Sequence, residues 1–261
     1  MRPTEMKENS VHLLGEQFKP AVATLQNSGD VQCSAAWALH YPQVGQVRVT
    51  MLTSATSARL PDQNQVMIWL GAPHSDAGAV REAAAPLITP EEQATALALR
   101  NASDQCASLA AHAGLRLMLG ATLDVAPSSV RIHHGARGKP LLDRGDLGFS
   151  LAHTRGAVAV ALARWPIGID IERKTALPDM DMIAATTFAS ESRNAICAAK
   201  GVARTEMFYR FWTLGEAFTK ATGLGISQGL DNIAFTPDGE PRLIRVNPPW
   251  APGQRWRFGF C

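Results

Sequence analysis

Two acidic side chains stand two residues apart in the segment Gly168 to Glu172, which reads Gly-Ile-Asp-Ile-Glu. Because side chains alternate between the two faces of a β-strand, Asp170 and Glu172 are predicted to share one face, while Ile169 and Ile171 pack into the core. Neighbouring carboxylates repel each other, and a bound oxygen-ligated cation such as magnesium relieves that repulsion. No histidine or cysteine lies at ligand spacing. The pattern also fits two ordinary surface acids, so a third acid is needed to decide.

That third acid is offered by a helix predicted from about Thr205 to Thr222. Glu216 and Lys220 are four residues apart on one helix face, which brings an acid and a base together. Glycines directly after Thr222 end the helix. A separate apolar stripe is predicted to be core: Met207, Phe211, Leu214, Phe218 and Ala221. Taken alone, Glu216 and Lys220 could equally form a surface ion pair.

The elements that position these residues indicate an α+β protein. A strand is predicted at Val66–Leu70, helical sequence runs from Thr89 to about Leu123, and a second strand covers Val130–His134. The same order of two helices and a strand returns between Ser190 and Phe235. The repeat predicts two pseudo-symmetric lobes, each of helices packed on a small, mainly antiparallel sheet, with a cleft between them. Unrelated α+β proteins can also show this order.

The predicted organisation has three parts. Residues 1–62 have weak periodicity and are interpreted as a loosely ordered extension without an assigned function, followed by lobes at 63–150 and 151–261. The strands Val158–Leu162 and Gly168–Glu172, joined by a short turn, are predicted to form a hairpin. A strand is predicted at Trp256–Phe260, and a further strand is expected after it, which a shortened C-terminus would lack.

Composition limits the classes of function. The chain has 261 residues, 46% of them hydrophobic, and a formal net charge of only +2, which gives no field strong enough to indicate nucleic acid or a membrane surface. The N-terminal residues resemble neither a signal peptide nor a membrane span, so the cytoplasm is the expected location. The four cysteines are widely separated and are predicted to be free thiols.

The two acidic blocks together resemble the signature of 4′-phosphopantetheinyl transferases. The strand Gly168 to Glu172 is followed by Phe-Trp-x-x-x-Glu-Ala-x-x-Lys-x-x-Gly-x-Gly-Ile from Phe211 to Ile226. Two shorter blocks agree with the family, Gly138-Lys139-Pro140 and Phe149 to Thr154. The resemblance covers about Gln63 to the C-terminus. It is nearest to the two-lobed, single-chain class that resembles the surfactin-synthetase-activating enzyme Sfp, which implies a monomer.

The resemblance implies a role for each matching residue. Asp170, Glu172 and Glu216 would bind Mg²⁺, and Asp170 would thereby also face coenzyme A, the co-substrate. A serine of the apo carrier protein would attack the β-phosphoryl group, with Glu216 or a water on the metal as base, and 3′,5′-ADP would leave. Lys220 would steady the phosphoryl oxygens. Lys139 and His153 would contact the nucleotide end of coenzyme A, although both also fit ordinary structural positions.

Departures from the family pattern bear on coenzyme A binding. Positions that usually carry basic residues in the first lobe hold Glu92, Thr95 and Ala107. Gly215 replaces a common lysine, and Ala152 replaces a common serine. Charge-assisted contacts are worth roughly 1.5 to 3 kcal/mol each, so other cations are expected to substitute. The candidates for this compensation are Arg100, His112 and Arg116.

Three functions remain open on the sequence. The first is an active transferase of the holo-[acyl-carrier-protein] synthase type, serving fatty acid, polyketide or nonribosomal peptide biosynthesis. The second is a weakened member that binds carrier protein or coenzyme A without efficient transfer. The third is an unrelated metal-dependent phosphohydrolase. The apo acyl or peptidyl carrier is expected to be acidic, and Arg193, Lys200 and Arg204 are candidate contacts for it.

Overall fold

The computed structural model describes residues 22–23, 32–41, 45–225, 229–246 and 256–261. The α-helices in these ranges are α1 (Ala77–Ala84), α2 (Pro90–Leu97), α3 (Ala102–Leu123), α4 (Met180–Thr187), α5 (Ser190–Ala198) and α6 (Val202–Thr222). The strands are β1 (Val22–Ala23), β2 (Cys33–His40), β3 (Arg48–Leu52), β4 (Gln65–Pro73), β5 (Ile132–His134), β6 (Pro140–Leu142), β7 (Gly148–Thr154), β8 (Ala157–Ala163), β9 (Ile167–Arg173), β10 (Ala234–Phe235), β11 (Leu243–Arg245) and β12 (Trp256–Phe260).

Two sheets form the centre of the protein. The first has the order β1-β4-β8-β7, with β3 parallel to β4 and the other neighbours antiparallel. The second has the order β12-β2-β9 and is antiparallel. Two short hairpins, β5-β6 and β10-β11, complete the strand pairing in the described residues.

Strand β8 explains how the two sheets pack together. Its valines and Leu162 face the core beneath α3, while its four alanines face the core that contains Ile169 and Ile171 of β9. Alanine is small enough to let the sheets approach closely. The second sheet turns its other face, with Ala36 and Ala38, toward the phenylalanines of α6. The order of layers is therefore helix, sheet, sheet, helix.

The two long helices complete the outer layers. Helix α3 packs on the first sheet at Gly114, where an added Cβ would lie only 2.1 Å from the Trp69 ring. By length and composition α3 is apolar enough to cross a membrane, and most of it is buried within the protein, as a core helix would be. Helix α6 packs on β9 at Gly168, where an added Cβ would lie 1.9 Å from the Ala217 carbonyl oxygen.

The α+β fold class predicted from the sequence is confirmed. The predicted helices appear as α2, α3, α5 and α6, each within a few residues of its expected bounds. The start of α2 is fixed by a capping box, in which Thr89 accepts from the Glu92 amide and Glu92 accepts from the Thr89 amide. All four cysteines are free thiols. The division into lobes at residue 150 stays a prediction.

The structure differs from the sequence prediction at two places. The predicted hairpin of β8 and β9 was wrong, because both edges of β8 are already paired with β4 and β7 while β9 pairs with β2 in the other sheet. Residues 1–62 are not loosely ordered throughout, because they include β2, which is the central strand of the second sheet. The other residues of that segment fall partly outside the described ranges. Strand β12 pairs antiparallel with β2.

Candidate active site

Asp170 and Glu172 lie on the face of β9 that was predicted for them. Ile169 and Ile171 are 0% and 1% exposed in the core between the sheets, and Asp170, although charged, is only 4% exposed. Glu172 is half-buried. Along β9 these acids are paired in register with Ala36 and Ser34 of β2. The alternation of the strand therefore places two carboxylates next to α6.

Helix α6 brings a third acid and a base to these carboxylates. Glu216 is 6% exposed, and Lys220, one turn later, directs its Nζ to Asp170 Oδ1 at 2.7 Å. The other oxygen of that carboxylate, Oδ2, is buried and has no hydrogen-bond partner among the described residues. Gly168 allows this contact, because its missing side chain lets β9 and α6 approach.

The pKa values show that the three acids influence one another. Burial raises the pKa of Asp170, opposed by Lys220. Burial, with the added charge of Asp170, raises the pKa of Glu172 to about 7, while the Thr154 hydroxyl, which donates to Glu172 at 3.2 Å, opposes the rise. Burial and then Asp170 also raise the pKa of Glu216. The cluster is thus costly to ionise without a cation.

These residues fit a divalent cation in charge and donor type. A buried carboxylate oxygen without a partner, beside two further acids, is the donor set that a hard oxygen-binding ion uses. No three acidic, histidine or cysteine side chains in the described part of the chain are already gathered in a metal-ligating arrangement. Lys220 holds Asp170 Oδ1 in this state, so side chains must rearrange for all three acids to share one ion.

His153 lies next to this cluster on β7. Its side chain is solvent-accessible, yet burial by the surrounding protein, followed by electrostatic interactions with His112 and Lys220, lowers its pKa to about 4. Its interaction with Asp104 acts in the opposite direction. On α3, His112 Nδ1 lies 2.8 Å from the Ser108 carbonyl oxygen, which fixes the ring. A neutral His153 is therefore available as a hydrogen-bonding group at pH 7.

Lys139 contacts main-chain oxygens in this structure, and its predicted contact with coenzyme A stays a prediction. Its Nζ donates to the Ala221 carbonyl oxygen at 2.7 Å and to the Ile167 carbonyl oxygen at 3.4 Å. Burial lowers the pKa of this lysine to about 8. The ammonium is thus directed to main-chain acceptors at the end of α6 and the beginning of β9.

Comparison with known proteins gives the family. The family description "4′-phosphopantetheinyl transferase superfamily" matches residues 166–258. A putative 4′-phosphopantetheinyl transferase of Synechocystis sp. is 30% identical over 176 residues, covering 66% of this chain and 71% of the relative. The 4′-phosphopantetheinyl transferase HetI of Nostoc sp. is 33% identical over 186 residues, covering 64% and 78%. This chain belongs to the 4′-phosphopantetheinyl transferase superfamily. Sfp of Bacillus subtilis is also similar, at 28% identity over 148 residues, covering 56% and 65%.

One of the basic residues proposed to compensate in this phosphopantetheinyl transferase is used for structure. Arg116 is 3% exposed, and its Nε donates to Glu92 at 2.6 Å. Its Nη1 donates to the carbonyl oxygens of Pro127 and Val130, both at 3.0 Å. The prediction that Arg116 binds coenzyme A is therefore corrected, because its guanidinium already holds α2 and the segment before β5 to α3. The exposed Arg100 and the half-buried His112 remain candidates.

Packing explains the two small residues that replace common family residues. A Cβ on Gly215 would lie 2.8 Å from a methyl carbon of Leu230, so a lysine does not fit there without moving that side chain. Ala152 is 5% exposed in the core between the sheets. Neither Gly215 nor Ala152 therefore leaves an empty space at its position in this protein.

Sequence analysis missed the role of two hydroxyl groups on β7. Ser150 Oγ accepts from the Ile169 amide at 3.1 Å, and Thr154 Oγ1 accepts from the Arg173 amide at 3.4 Å. These amides belong to β9, so the hydroxyls connect the first sheet to the strand that carries the acids. Both residues lie in the Phe149 to Thr154 motif at an even spacing, which is the signal that could have indicated a shared face.

Proposed function

We propose that this protein transfers the 4′-phosphopantetheine group of coenzyme A to a serine of an apo acyl or peptidyl carrier protein, releasing 3′,5′-ADP. The observation that carries the proposal is the buried Asp170 carboxylate, which pairs with Lys220 through one oxygen and leaves the other without a partner. Membership of the transferase superfamily supports the same reaction. We further propose a cytoplasmic monomer of the Sfp-like, holo-[acyl-carrier-protein] synthase type.

Asp170, Glu172 and Glu216 would hold Mg²⁺. When bound, the ion would neutralise negative charge on the pyrophosphate of coenzyme A as the phosphoanhydride bond breaks. Lys220 would exchange its contact with Asp170 for the phosphoryl oxygens, because a bound cation takes over the charge of that carboxylate. The neutral His153 would contact the nucleotide end as a hydrogen-bonding group.

Glu216 is the proposed base. The carrier serine oxygen forms a bond to the β-phosphorus, the bond to the bridging oxygen breaks, and 3′,5′-ADP leaves with the electron pair. Glu216, which lies beside Asp170 and Lys220 at the same site, takes the serine proton. The nucleophile belongs to the carrier, so the enzyme supplies position, charge and a base.

A weakened family member is the second candidate. The locked Arg116 and the absence of basic residues at Glu92, Thr95 and Ala107 favour it, because fewer cations are available for the phosphates of coenzyme A. Such a protein would bind the carrier or coenzyme A without efficient transfer.

Intact-mass measurement of an apo carrier protein, incubated with this protein, Mg²⁺ and coenzyme A, tests the proposal. The carrier should gain one phosphopantetheine group, and Asp170→Ala should abolish the gain. Glu91→Gln, which removes an exposed carboxylate on α2, is the matched control and should leave the rate unchanged. A folded wild-type protein that binds carrier without any gain would favour the weakened member. Nucleotide release without a carrier would indicate a phosphohydrolase.

A further inference from the structure

Lys139 reaches α6 and β9 from the tight turn of the β5-β6 hairpin. The turn is closed by the Gly135 amide, which donates to the Lys139 carbonyl oxygen at 2.9 Å, and by Gly138 with a φ of +80°. Glycine tolerates this left-handed conformation without strain. The hairpin thereby directs the Lys139 side chain toward α6 and β9.

The Lys139 ammonium meets the ends of both elements that carry the proposed metal ligands. Ala221, whose carbonyl oxygen it contacts at 2.7 Å, directly follows Lys220 in the last turn of α6. Ile167, contacted at 3.4 Å, is the first residue of β9, the strand that carries Asp170. Carbonyl groups in the last turn of a helix have no partner within the helix, and a cation there is favoured by the helix dipole.

The aliphatic part of the Lys139 side chain packs where the end of α6 meets the beginning of β9. Gly223 ends α6 in the left-handed region, with a φ of +69°, and an added Cβ there would lie 3.3 Å from Lys139 Cδ. On the other side of the junction, an added Cβ on Gly168 would lie 2.5 Å from the Ala221 amide nitrogen. The end of α6 and the beginning of β9 are thus in direct contact, and Lys139 donates to both.

We propose that Lys139 is a positioning residue that fixes the end of α6 against the beginning of β9, and so sets the distance between Asp170 on the strand and Glu216 and Lys220 on the helix. The inference rests on the proposed function, because those side chains form its reacting site. It differs from the nucleotide contact that the motif implied, since the ammonium has two main-chain acceptors.

The test compares Lys139→Met with Lys174→Met. Lys174 directly follows β9 at its opposite end and forms a 3.7 Å ion pair with Glu206 near the beginning of α6, so the control removes a lysine that joins the same two elements elsewhere. Mn²⁺ binding by electron paramagnetic resonance, amide hydrogen exchange of residues 216–224, and the kcat and KM for coenzyme A are measured on the full chain.

Lys139→Met should weaken Mn²⁺ binding at least fivefold, speed exchange in the last turn of α6, and lower kcat at least tenfold with the KM for coenzyme A within twofold. Lys174→Met should change none of these. Lys139→Arg keeps the charge and several donors, so it should recover part of the Mn²⁺ affinity; it also serves as the test variant if Lys139→Met does not fold.

Two results would overturn the inference. A KM for coenzyme A that rises with kcat and Mn²⁺ affinity unchanged would make Lys139 a nucleotide ligand, and unchanged exchange and Mn²⁺ binding would remove the positioning role. If the wild-type protein transfers nothing while Lys139→Met still weakens Mn²⁺ binding and loosens α6, the proposed function fails and the positioning role stands.

Discussion

Lys220 Nζ lies 2.7 Å from Asp170 Oδ1, and the second oxygen of that buried carboxylate has no partner within the described residues. The lysine thus provides the charge that a cation would otherwise supply. Since only one oxygen is paired, the arrangement stabilises the metal-free protein while leaving a donor for an ion.

Lys220→Met should destabilise the metal-free protein at pH 8 by about 2 kcal/mol, because it leaves the Asp170 carboxylate buried without a cation. The loss should shrink toward pH 4, because burial raises the pKa of Asp170 and a protonated carboxyl group no longer needs the charge of Lys220. Urea unfolding in a chelator at the two pH values measures it. Lys200→Met, on the surface between α5 and α6, is the control. Equal losses at both pH values would contradict the expectation.

Metal-free stability should fall as pH rises from about 4.5 to 7 through the contribution of Glu172. Its pKa is raised from 4.5 to about 7 in the folded protein, so the folded state holds more protons than the unfolded state in this window and loses stability as they dissociate. Mg²⁺ favours the ionised carboxylates, so it should raise Tm more at pH 8 than at pH 5. Thermal unfolding with Mg²⁺ or a chelator measures this. Glu172→Gln should flatten both dependences, and a Tm increase equal at both pH values would argue against the metal site.

Gly168→Ala should cost about 3 kcal/mol, because its Cβ would lie 1.9 Å from the Ala217 carbonyl oxygen and would force β9 and α6 apart. Gly145→Ala has open space around its Cβ and should change stability by less than about 0.5 kcal/mol. Chemical unfolding of the two variants compares them. Similar stabilities would mean that the helix and strand tolerate separation.

Arg116→Met should lower stability by about 3 kcal/mol while leaving the Kd for coenzyme A within twofold of wild type. The buried guanidinium of this residue donates to Glu92 and to two carbonyl oxygens, and it is not available to a phosphate. His112→Ala should instead weaken coenzyme A binding, because this ring lies near His153. Calorimetric titration of folded variants distinguishes the two residues. A large rise in Kd for Arg116→Met alone would restore it as a ligand.

Local sequence patterns were sufficient for β9 and α6. Alternating isoleucines and acids identify one strand face, and apolar residues at helical spacing identify the buried side of α6. The grouping of Asp170, Glu172 and Glu216 into one site was implied by the family resemblance, because the local patterns also fitted surface acids. The contact between Lys220 and Asp170 could not be predicted, since it depends on how closely Gly168 lets the helix approach.

Other features depend on partners that are distant in sequence. Strand β2 contains the continuous apolar run Ala35–Leu39, buried on both faces, and therefore lacks the alternation that marks a half-buried strand. Strands β8 and β9 are adjacent in sequence, and adjacent strands usually pair, which suggested a hairpin. Instead, β8 pairs with β4 and β7, and β9 pairs with β2. For Arg116, the helix pattern did not reveal that Glu92 lies opposite it.

The position of β2 has a consequence for synthesis on the ribosome. Translation makes Cys33–His40 before both of its neighbours, Ile167–Arg173 and Trp256–Phe260. Both edges of this apolar middle strand therefore stay unpaired until those distant segments are made. Pairing over such separations is slow and leaves a nascent chain open to aggregation, so folding of this sheet should rely on protection until then.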